Sequence, residues 1–383
     1  MKNIGVIGSG TMGIGIAQVA ASHGCNVKIF DVNTNQTNKA IDGLKNQLQK
    51  LVDKGKWSAS QKEEVLSRIL PISNLEDFHD ADFIIEAIVE DKKIKQQVYS
   101  DLEKIVRPDC ILASNTSSIS ITSLSSELQY PGRFIGVHFF NPAPIMELVE
   151  IIPGLLTKND LAEKMVEILK SWKKNPVVVK DIPGFLVNRI ARPFYGEALR
   201  IVEENIADPF QVDMAMKMFG EFRMGPFELM DLIGIDVNFS VTKTVYQDYF
   251  FDPKYKPSLL QQRMVEAKLL GRKTQQGFYQ YGNNSVTINP DINSKLFEEI
   301  FLRIISMLIN EAVEAKRLKL STDEAIELAM MKGVNYPKGL LQWGAELGWS
   351  RISETLQKLY DLYGEERYRQ SPLLKELSEN RIL

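Results

Sequence analysis

The chain has 383 residues, of which 44% are hydrophobic and 25% are charged, as in ordinary globular proteins of two or three domains. Its 46 basic and 49 acidic side chains give a net charge of -3, which argues against nucleic acid as a partner. Two cysteines and three histidines are too few for a disulfide framework or a multi-histidine metal centre, so we predict no metal site.

The N-terminus leads directly into a predicted strand. Met1–Asn3 precede an apolar run without the basic leader and cleavage pattern of a secretory signal. The sequence contains no apolar run of about 18 residues, the length that spans a membrane. We therefore expect a cytoplasmic protein with reduced cysteines and no membrane segment.

Short apolar runs alternate with longer segments of helical period over the first 180 residues. The runs predicted as buried strands are Ile4–Ile7, Val27–Phe30, Phe83–Ile85, Ile111–Ala113, Phe134–Val137 and Val177–Val179. Helical patterns such as Gly15–Ser22 and Asp91–Val106 lie between them. This alternation predicts an α/β fold with a mostly parallel sheet covered on both faces.

A glycine-rich turn follows the first predicted strand. Its G-x-G-x-x-G pattern consists of Gly8, Ser9, Gly10, Thr11, Met12 and Gly13. Between a strand and a helix, such glycines allow a tight turn, close approach of a pyrophosphate and close helix packing. Asp31 ends the second strand, where a carboxylate can bind ribose hydroxyls and repel a 2′-phosphate. We predict a Rossmann-type domain that binds NAD, with a turn or cap role as the alternative for Asp31.

Polar residues follow three later strands. They lie in the segments 86–90, with Lys95 beyond it, 114–118 and 138–142. Because ligands of open α/β sheets bind beyond the carboxyl ends of the strands, these groups are predicted to share one crevice.

His138 and Glu150 are the candidates for acid–base chemistry. Imidazole suits proton transfer at neutral pH, and Glu150 is a carboxylate among apolar residues that needs a partner if it is buried. A His–Glu pair would account for both. The residues alone equally allow a core histidine bonded to backbone and a carboxylate that faces solvent on an edge strand.

The character of the sequence changes near residues 181–184. Long amphipathic helices then dominate, as in Ile190–Glu204 and Lys295–Arg317, and a polar linker is predicted over residues 282–294. At a constant offset of 114 residues, identities recur: Arg189 with Arg303, Glu197 with Glu311, Gly225 with Gly339 and Gly234 with Gly348. This register predicts a duplicated helical unit. The alternative is that core packing makes two helical stretches look alike.

Several motifs together resemble the L-3-hydroxyacyl-CoA dehydrogenase family. They occur in the family's order over residues 2–281 and comprise 114–118, 138–150, 183–189, 224–228 and 271–279. The resemblance implies an NAD-dependent enzyme that oxidises (S)-3-hydroxyacyl-CoA of short chain, such as 3-hydroxybutyryl-CoA. A non-catalytic dinucleotide-binding relative and another β-hydroxyacid dehydrogenase are the alternatives.

The same resemblance implies roles for individual residues. His138 would be the general base, Glu150 its partner, and Ser117 and Asn188 would contact the substrate oxygens. Residues placed against NAD, besides the glycine-rich turn and Asp31, are Glu90, Lys95, Asn115, Ser117, Asn141 and Lys273. Lys54 and Lys56 would meet the phosphates of coenzyme A. For the four lysines, a solvated surface position is the alternative, and for Asn188 it is a backbone-capping role.

The predicted domains are a Rossmann domain (1–182), a helical domain (183–281) and a second helical copy (295–383). Asn188 corresponds to Leu302 in the second copy, and the sequence ends before a counterpart of Lys273. We therefore expect the second copy to be structural. In the family, helical domains of two subunits pack as a dimer, so either a homo-oligomer forms or the second copy takes the partner's place within one chain.

Overall fold

The computed structural model describes residues 1–281 and 293–380. The chain divides into two compact units, Met1–Phe185 and Leu186–Leu383. Both helical segments therefore lie in the second unit, and their division into two copies stays a prediction. The predicted linker at 282–294 lies almost entirely outside the described residues.

The first unit is built on one eight-stranded sheet. Its strands are β1 (Asn3–Ile7), β2 (Asn26–Phe30), β3 (Ile69–Ile72), β4 (Phe83–Glu86), β5 (Ile111–Ser114), β6 (Phe134–Phe139), β7 (Leu148–Ile152) and β8 (Asn175–Val178). Their order is β3-β2-β1-β4-β5-β6-β7-β8. All neighbours are parallel except β6 and β7, which run antiparallel. The predicted α/β Rossmann-type class is confirmed.

The sheet differs from the predicted one at three strands. The prediction missed β3, whose Pro71 lacks an N–H; this strand lies at the edge of the sheet, where proline is tolerated. It also missed β7, because a hairpin-like antiparallel strand breaks the βαβ alternation on which the prediction relied. β6 is longer than predicted and includes His138 within the strand rather than after it.

Helices cover both faces of this sheet. They are α1 (Thr11–Ser22), α2 (Thr34–Asp53), α3 (Ala59–Ser67), α4 (Lys92–Glu103), α5 (Ile121–Ser125) and α6 (Leu161–Ser171), with 3₁₀ turns at Leu75–Phe78 and Pro131–Arg133. Nearly every strand residue of β4 to β7 is buried. This double cover explains why those strands appear in the sequence as continuous apolar runs.

The second unit is helical throughout its described residues. Its helices are α7 (Val187–Ile190), α8 (Arg192–Glu203), α9 (Pro209–Gly220), α10 (Pro226–Ile233), α11 (Ile235–Asp248), α12 (Leu259–Glu266), α13 (Ser294–Arg317), α14 (Asp323–Gly333), α15 (Leu340–Leu347), α16 (Trp349–Tyr363) and α17 (Pro372–Ser378). Three 3₁₀ turns lie at Pro253–Tyr255, Arg272–Thr274 and Glu366–Tyr368. Helix α13 packs against α8 and α9. Within residues 1–281 and 293–380, no helix is long and apolar enough to cross a bilayer.

The order of helices repeats within this unit. Helices α9, α10, α11 and α12 recur as α14, α15, α16 and α17, and each series has a 3₁₀ turn before its last helix. The predicted helix Ile190–Glu204 is divided at Ala191, where Pro193 removes an N–H from the ladder and sits in the first turn of α8. The corresponding stretch of α13 has Met307 and is continuous. The break lies between Asn188 and Arg192.

Candidate active site

The glycine-rich turn has the shape that a pyrophosphate requires. Gly8 has a φ of 100°, and a Cβ there would lie 2.5 Å from the carbonyl oxygen of Ala87. A Cβ on Gly13 would meet the Gly8 oxygen at 1.8 Å, so α1 can pack on β1 only with glycine there. Above Gly10 there is open space, and no side chain caps the first N–H groups of α1. These donors fit a dinucleotide diphosphate.

Asp31 lies at the end of β2, against this turn. Its Oδ2 accepts hydrogen bonds from the amide and the hydroxyl of Ser9 at 2.8 and 2.9 Å, and its Oδ1 accepts one from the amide of Asn33. The carboxylate therefore holds the turn in place and stays partly accessible. Thr11 and Met12 form the first turn of α1.

His138 and Glu150 are directly opposite each other on the antiparallel strands β6 and β7. Side chains at paired positions project from the same face, which brings the His138 Nδ1 to 2.7 Å from the Glu150 Oε2. Glu150 is fully buried and the His138 side chain is 8% exposed. This rules out the alternative of a solvent-facing carboxylate on an edge strand, because β8 covers the other side of β7.

Aromatic rings surround the imidazole. The ring of Phe140 lies 4.6 Å from it between centroids and that of Phe185 lies 5.9 Å away. With Nδ1 turned to the carboxylate, Nε2 is the ring nitrogen left for a substrate. A histidine held in this way has one fixed tautomer and a neighbour that stabilises its protonated form.

A buried carboxylate network lies at the ends of β4 and β5. Glu86 accepts hydrogen bonds from Tyr99 and Ser114, both at 2.8 Å, and pairs with the ammonium of Lys95 at 2.5 Å. Lys95 is only 1% exposed, so the solvated-lysine alternative is wrong. The sequence contains a signal for this network, since Lys95 and Tyr99 lie four residues apart on one face of α4, but nothing local in the sequence connects them with Glu86.

Glu90 organises the loop that carries Ser117. It accepts hydrogen bonds from the Thr116 hydroxyl, the Ser117 amide at 3.1 Å and the Ser118 hydroxyl at 3.1 Å. Burial opposes ionisation, but the Lys95 ammonium and these donors hold the pKa of Glu90 below its usual value. The loop is therefore built around a carboxylate.

The other predicted residues of the first unit occupy varied positions. The side chain of Asn115 accepts a hydrogen bond from the Phe139 amide at 2.8 Å, next to the histidine. Asn141 is exposed, and so are Lys54 and Lys56, which follow the end of α2. A cleft of about 640 Å³ runs between α1 and α2 from Gly10 and Thr11 past Lys39 and Gln47 to Leu51.

Two buried or half-buried polar residues that sequence reasoning missed hold nearby loops. Lys174 donates to the carbonyls of Ala143 and Met146 at 2.6 and 2.8 Å, and its burial lowers its pKa. Asp181 accepts hydrogen bonds from the amides of Ile121 and Thr122. Neither residue belongs to a motif, and their roles depend on partners that are distant in the sequence.

The second unit contains two of the predicted site residues. Asn188 is half-buried in the short helix α7, and its carbonyl accepts a hydrogen bond from Arg192 at 2.8 Å. Lys273 is 44% exposed and forms a bidentate pair with Asp236 at 2.5 and 2.6 Å. Across residues 1–281 and 293–380, no group of three potential metal ligands occurs.

The chain matches the sequence models of both domains of one enzyme family. The 3-hydroxyacyl-CoA dehydrogenase NAD binding domain matches residues 3–182, and the 3-hydroxyacyl-CoA dehydrogenase C-terminal domain matches residues 184–281 and 300–383. The chain belongs to the 3-hydroxyacyl-CoA dehydrogenase family. The predicted family, enzyme class and NAD cofactor are thereby confirmed, which disfavours a non-catalytic relative.

Individual proteins similar to this dehydrogenase are also named as 3-hydroxyacyl-CoA dehydrogenases of particular substrates. It is 36% identical to the 3-hydroxyadipyl-CoA dehydrogenase of Escherichia coli K12, over 98% of this chain and 97% of that protein. It is 45% identical to a 3-hydroxybutyryl-CoA dehydrogenase of Clostridioides difficile, over 73% of this chain and 99% of that protein. A crystal structure of 3-hydroxybutyryl-CoA dehydrogenase from Escherichia coli K12 superposes with a TM-score of 0.94 at 34% identity, covering 99% and 98% of the two chains.

Proposed function

We propose that this dehydrogenase oxidises short-chain (S)-3-hydroxyacyl-CoA, such as 3-hydroxybutyryl-CoA, to 3-oxoacyl-CoA with His138 as general base. The observation that carries the proposal is the buried contact between His138 Nδ1 and Glu150 Oε2. With Nδ1 bonded to the carboxylate, Nε2 faces away from Glu150 and is the nitrogen that can take up a proton, as a base requires.

In the reaction, the O–H bond at carbon 3 breaks and its proton passes to His138 Nε2. The C–H bond at carbon 3 breaks, and the hydrogen leaves with the electron pair as a hydride. The bond between carbon 3 and its oxygen becomes a carbonyl. NAD supplies the acceptor for this hydride. Glu150 stabilises the imidazolium that results, since a carboxylate at hydrogen-bond distance offsets the new charge in a site of low polarity.

Other residues position the reactants. Ser117 would hydrogen-bond the reacting oxygen, and Asn188 would contact the substrate oxygens beside it. Glu90, Asn115, Asn141 and Lys273 would contact the dinucleotide, and the ordered loop around Glu90 supports a fixed place for Ser117. Lys95 would act through its buried pairs with Glu86 and Glu90. The two oxyanion-type contacts at Ser117 and Asn188 complete the proposed catalytic set.

Lys54 and Lys56 are proposed to meet phosphates of coenzyme A. Both are exposed at the end of α2, whose length lines the cleft that starts at the glycine-rich turn. An ammonium group there would act on a phosphate as a point charge. The relatives named for 3-hydroxybutyryl-CoA and 3-hydroxyadipyl-CoA differ in the far end of the acyl chain, not in this moiety.

The second helical segment is proposed to take the place of a partner subunit. Its support is a reciprocal pattern of buried ion pairs. Glu311 of the second segment accepts from Lys254 at 2.6 Å and Tyr255 at 2.9 Å, with Arg189 at 3.6 Å.

In the mirror arrangement, Glu197 of the first segment pairs with Arg303 at 2.6 Å and accepts from Tyr368 at 2.7 Å, with Arg367 at 3.3 Å. Such exchange, in which residue i meets j and j meets i, is what a two-fold interface produces. We therefore propose that residues 183–281 and 295–383 are two copies of one helical domain that pack as a dimer does.

The catalytic proposal is tested with His138→Gln. The assay is the reduction of acetoacetyl-CoA, monitored by the oxidation of NADH. We expect a loss of at least about a hundredfold in kcat, because general acid–base catalysis contributes that much. His79→Gln is the matched control, since His79 is an exposed histidine of the same unit. Equal activity of His138→Gln and wild type, with unchanged circular dichroism, would refute the mechanism.

A further inference from the structure

Arg192 is a buried cation that the proposed reaction does not use. It is 7% exposed and lies at the start of α8. Its Nε donates to the carbonyl of Asn188 at 2.8 Å and its Nη1 donates to the hydroxyl of Thr242 at 3.1 Å. The guanidinium also lies over the ring of Tyr195, 5.1 Å from the centroid. All of these partners are neutral.

Among the residues that the structure describes, no carboxylate pairs with Arg192. Charged side chains are almost never fully buried without an opposite charge, because desolvation is costly. Here that cost lowers the pKa of Arg192, although the neighbouring Tyr195 and Tyr336 act in the opposite direction. The other buried arginines of this unit, Arg189, Arg303 and Arg367, each face a glutamate. Arg192 is thus the exception in its own helix bundle.

One amino group of Arg192 remains available. Nε and Nη1 are occupied, whereas Nη2 has no hydrogen-bond partner among the described residues and is not one of the fully buried atoms without a partner. Nη2 therefore keeps some exposed surface at which it could donate to a ligand. Next to this guanidinium, Tyr336 carries a buried hydroxyl with no partner within the described residues, close enough for the Arg192 charge to act on its pKa.

The second helical segment shows that the fold does not need this arginine. At the offset of 114 residues, Arg189, Glu197 and Tyr249 recur as Arg303, Glu311 and Tyr363, which build the ion pairs and stacked rings of both segments. Arg192 is replaced by Ser306, which is buried, and Asn188 by Leu302. Asparagine and arginine are absent together from the segment that has no proposed catalytic role.

Asn188 and Arg192 also lie close together. Although the helix is divided at Ala191 between them, the Arg192 Nε donates to the Asn188 carbonyl at 2.8 Å, so the guanidinium lies next to the Asn188 backbone. A substrate held at Asn188 by the oxygen on carbon 3 would reach Arg192 with an acyl chain longer by a few carbon–carbon bonds. A guanidinium at that point favours a carboxylate, which it binds with two parallel hydrogen bonds in other proteins.

We propose that Arg192 binds a carboxylate at the far end of the acyl chain, so that the enzyme also oxidises 3-hydroxyacyl-CoA substrates derived from dicarboxylic acids. The inference rests on the proposed contact between Asn188 and the substrate. It assigns Arg192 as the residue that determines selectivity between a methyl end and a carboxylate end. The bound carboxylate of the substrate gives the buried guanidinium the counter-charge that it lacks in the free protein.

The test compares two acyl chains of equal length. 3-Hydroxyadipyl-CoA and 3-hydroxyhexanoyl-CoA differ only in the carboxylate, and the ratio of their kcat/KM values cancels any general loss of activity. Wild type is expected to favour the carboxylate substrate, and Arg192→Gln, which keeps a hydrogen-bond donor, to lower the ratio about tenfold or more. Arg192→Lys, which keeps the charge and loses the fork, should give a ratio between these two.

Asn188→Ala separates this proposal from the proposed function. It should lower kcat/KM for both substrates alike and leave their ratio unchanged. If Arg192→Gln leaves the ratio at the wild-type value while Asn188→Ala lowers both rates, the role of Arg192 is refuted and the proposed function stands. If Asn188→Ala lowers neither rate, the proposed function fails at this residue. Should Arg192→Gln not fold, an unchanged ratio in Arg192→Lys overturns the proposal.

Discussion

The two helical segments of the second unit share an architecture and differ in chemistry. Each contributes one glutamate, two cationic side chains and one tyrosine to the reciprocal ion-pair clusters around Glu197 and Glu311. Only the first segment carries Asn188 and Arg192. The residues common to both segments build the interface between them, whereas residues present in only one segment are candidates for contact with the substrate.

The backbone differs in the same place. In the first segment the helix is divided at Ala191, just after Asn188, and Pro193 accounts for the break. In the second segment the equivalent residues form the uninterrupted helix α13. A divided helix frees polar backbone groups, and Arg192 bonds one of them, the Asn188 carbonyl.

A further difference concerns a buried carboxylate that each segment has at the same offset. Asp213 accepts hydrogen bonds from the amides of Phe227 and Glu228 and from the hydroxyl of Tyr279. Burial raises the pKa of Asp213 to about 7. Its counterpart Glu327 accepts two equivalent amides, but its Oε2 is buried without a partner in the described residues. At this position the carboxylate of the first segment is the more completely hydrogen-bonded one.

The largest expected effect concerns the shared ion pairs. Glu311→Gln leaves Arg189 and Lys254 buried without a counter-charge, which costs about 3 kcal/mol or more of folding free energy. The corresponding variant Glu197→Gln should cost less, because Arg303 keeps its ion pair with Glu204 at 3.1 Å and only Arg367 loses the nearer of its carboxylates. Urea unfolding measures both variants. A loss below about 1 kcal/mol in Glu311→Gln would contradict the expected role of this buried carboxylate.

The pH dependence of stability provides the control for this pair. Burial opposes ionisation of Glu311, but the Lys254 ammonium and the Arg189 guanidinium hold its pKa below the usual value. A carboxyl with a lowered folded pKa contributes stability that is present above its unfolded pKa, about 4.3, and is lost as the pH falls through the folded pKa. Wild type should lose this contribution below about pH 4, and Glu311→Gln should not.

A smaller effect, about a hundredfold in rate, separates the two segments by chemistry. Asn188→Ala should lower kcat/KM by that factor, as the loss of one positioned donor does in other enzymes. Leu302→Asn places an amide at the equivalent point of the second segment and should leave kcat/KM at the wild-type value. Steady-state assays with 3-hydroxybutyryl-CoA decide. A gain of activity in Leu302→Asn would mean that the second segment also meets substrate.

Local patterns in the sequence predicted much of the first unit. The glycine-rich turn and Asp31 follow from short-range chemistry, whereas the residues alone left the His138–Glu150 pair and a core histidine with a solvent-facing carboxylate equally possible. The antiparallel strand β7 could not be predicted in the same way, since pairing direction depends on contacts distant in sequence. The Glu86 network and Arg192 depend on distant partners such as Ser114 and Thr242.

The central claim is that the second helical segment replaces a partner subunit. Sedimentation velocity of the full chain and of a chain that ends at Tyr281 tests it most directly. We expect the full chain to sediment as one chain. The shortened chain should self-associate, because the faces of α8 and α9 that pack on α13 are then uncovered. A shortened chain that stays a single, folded and active molecule would contradict the claim.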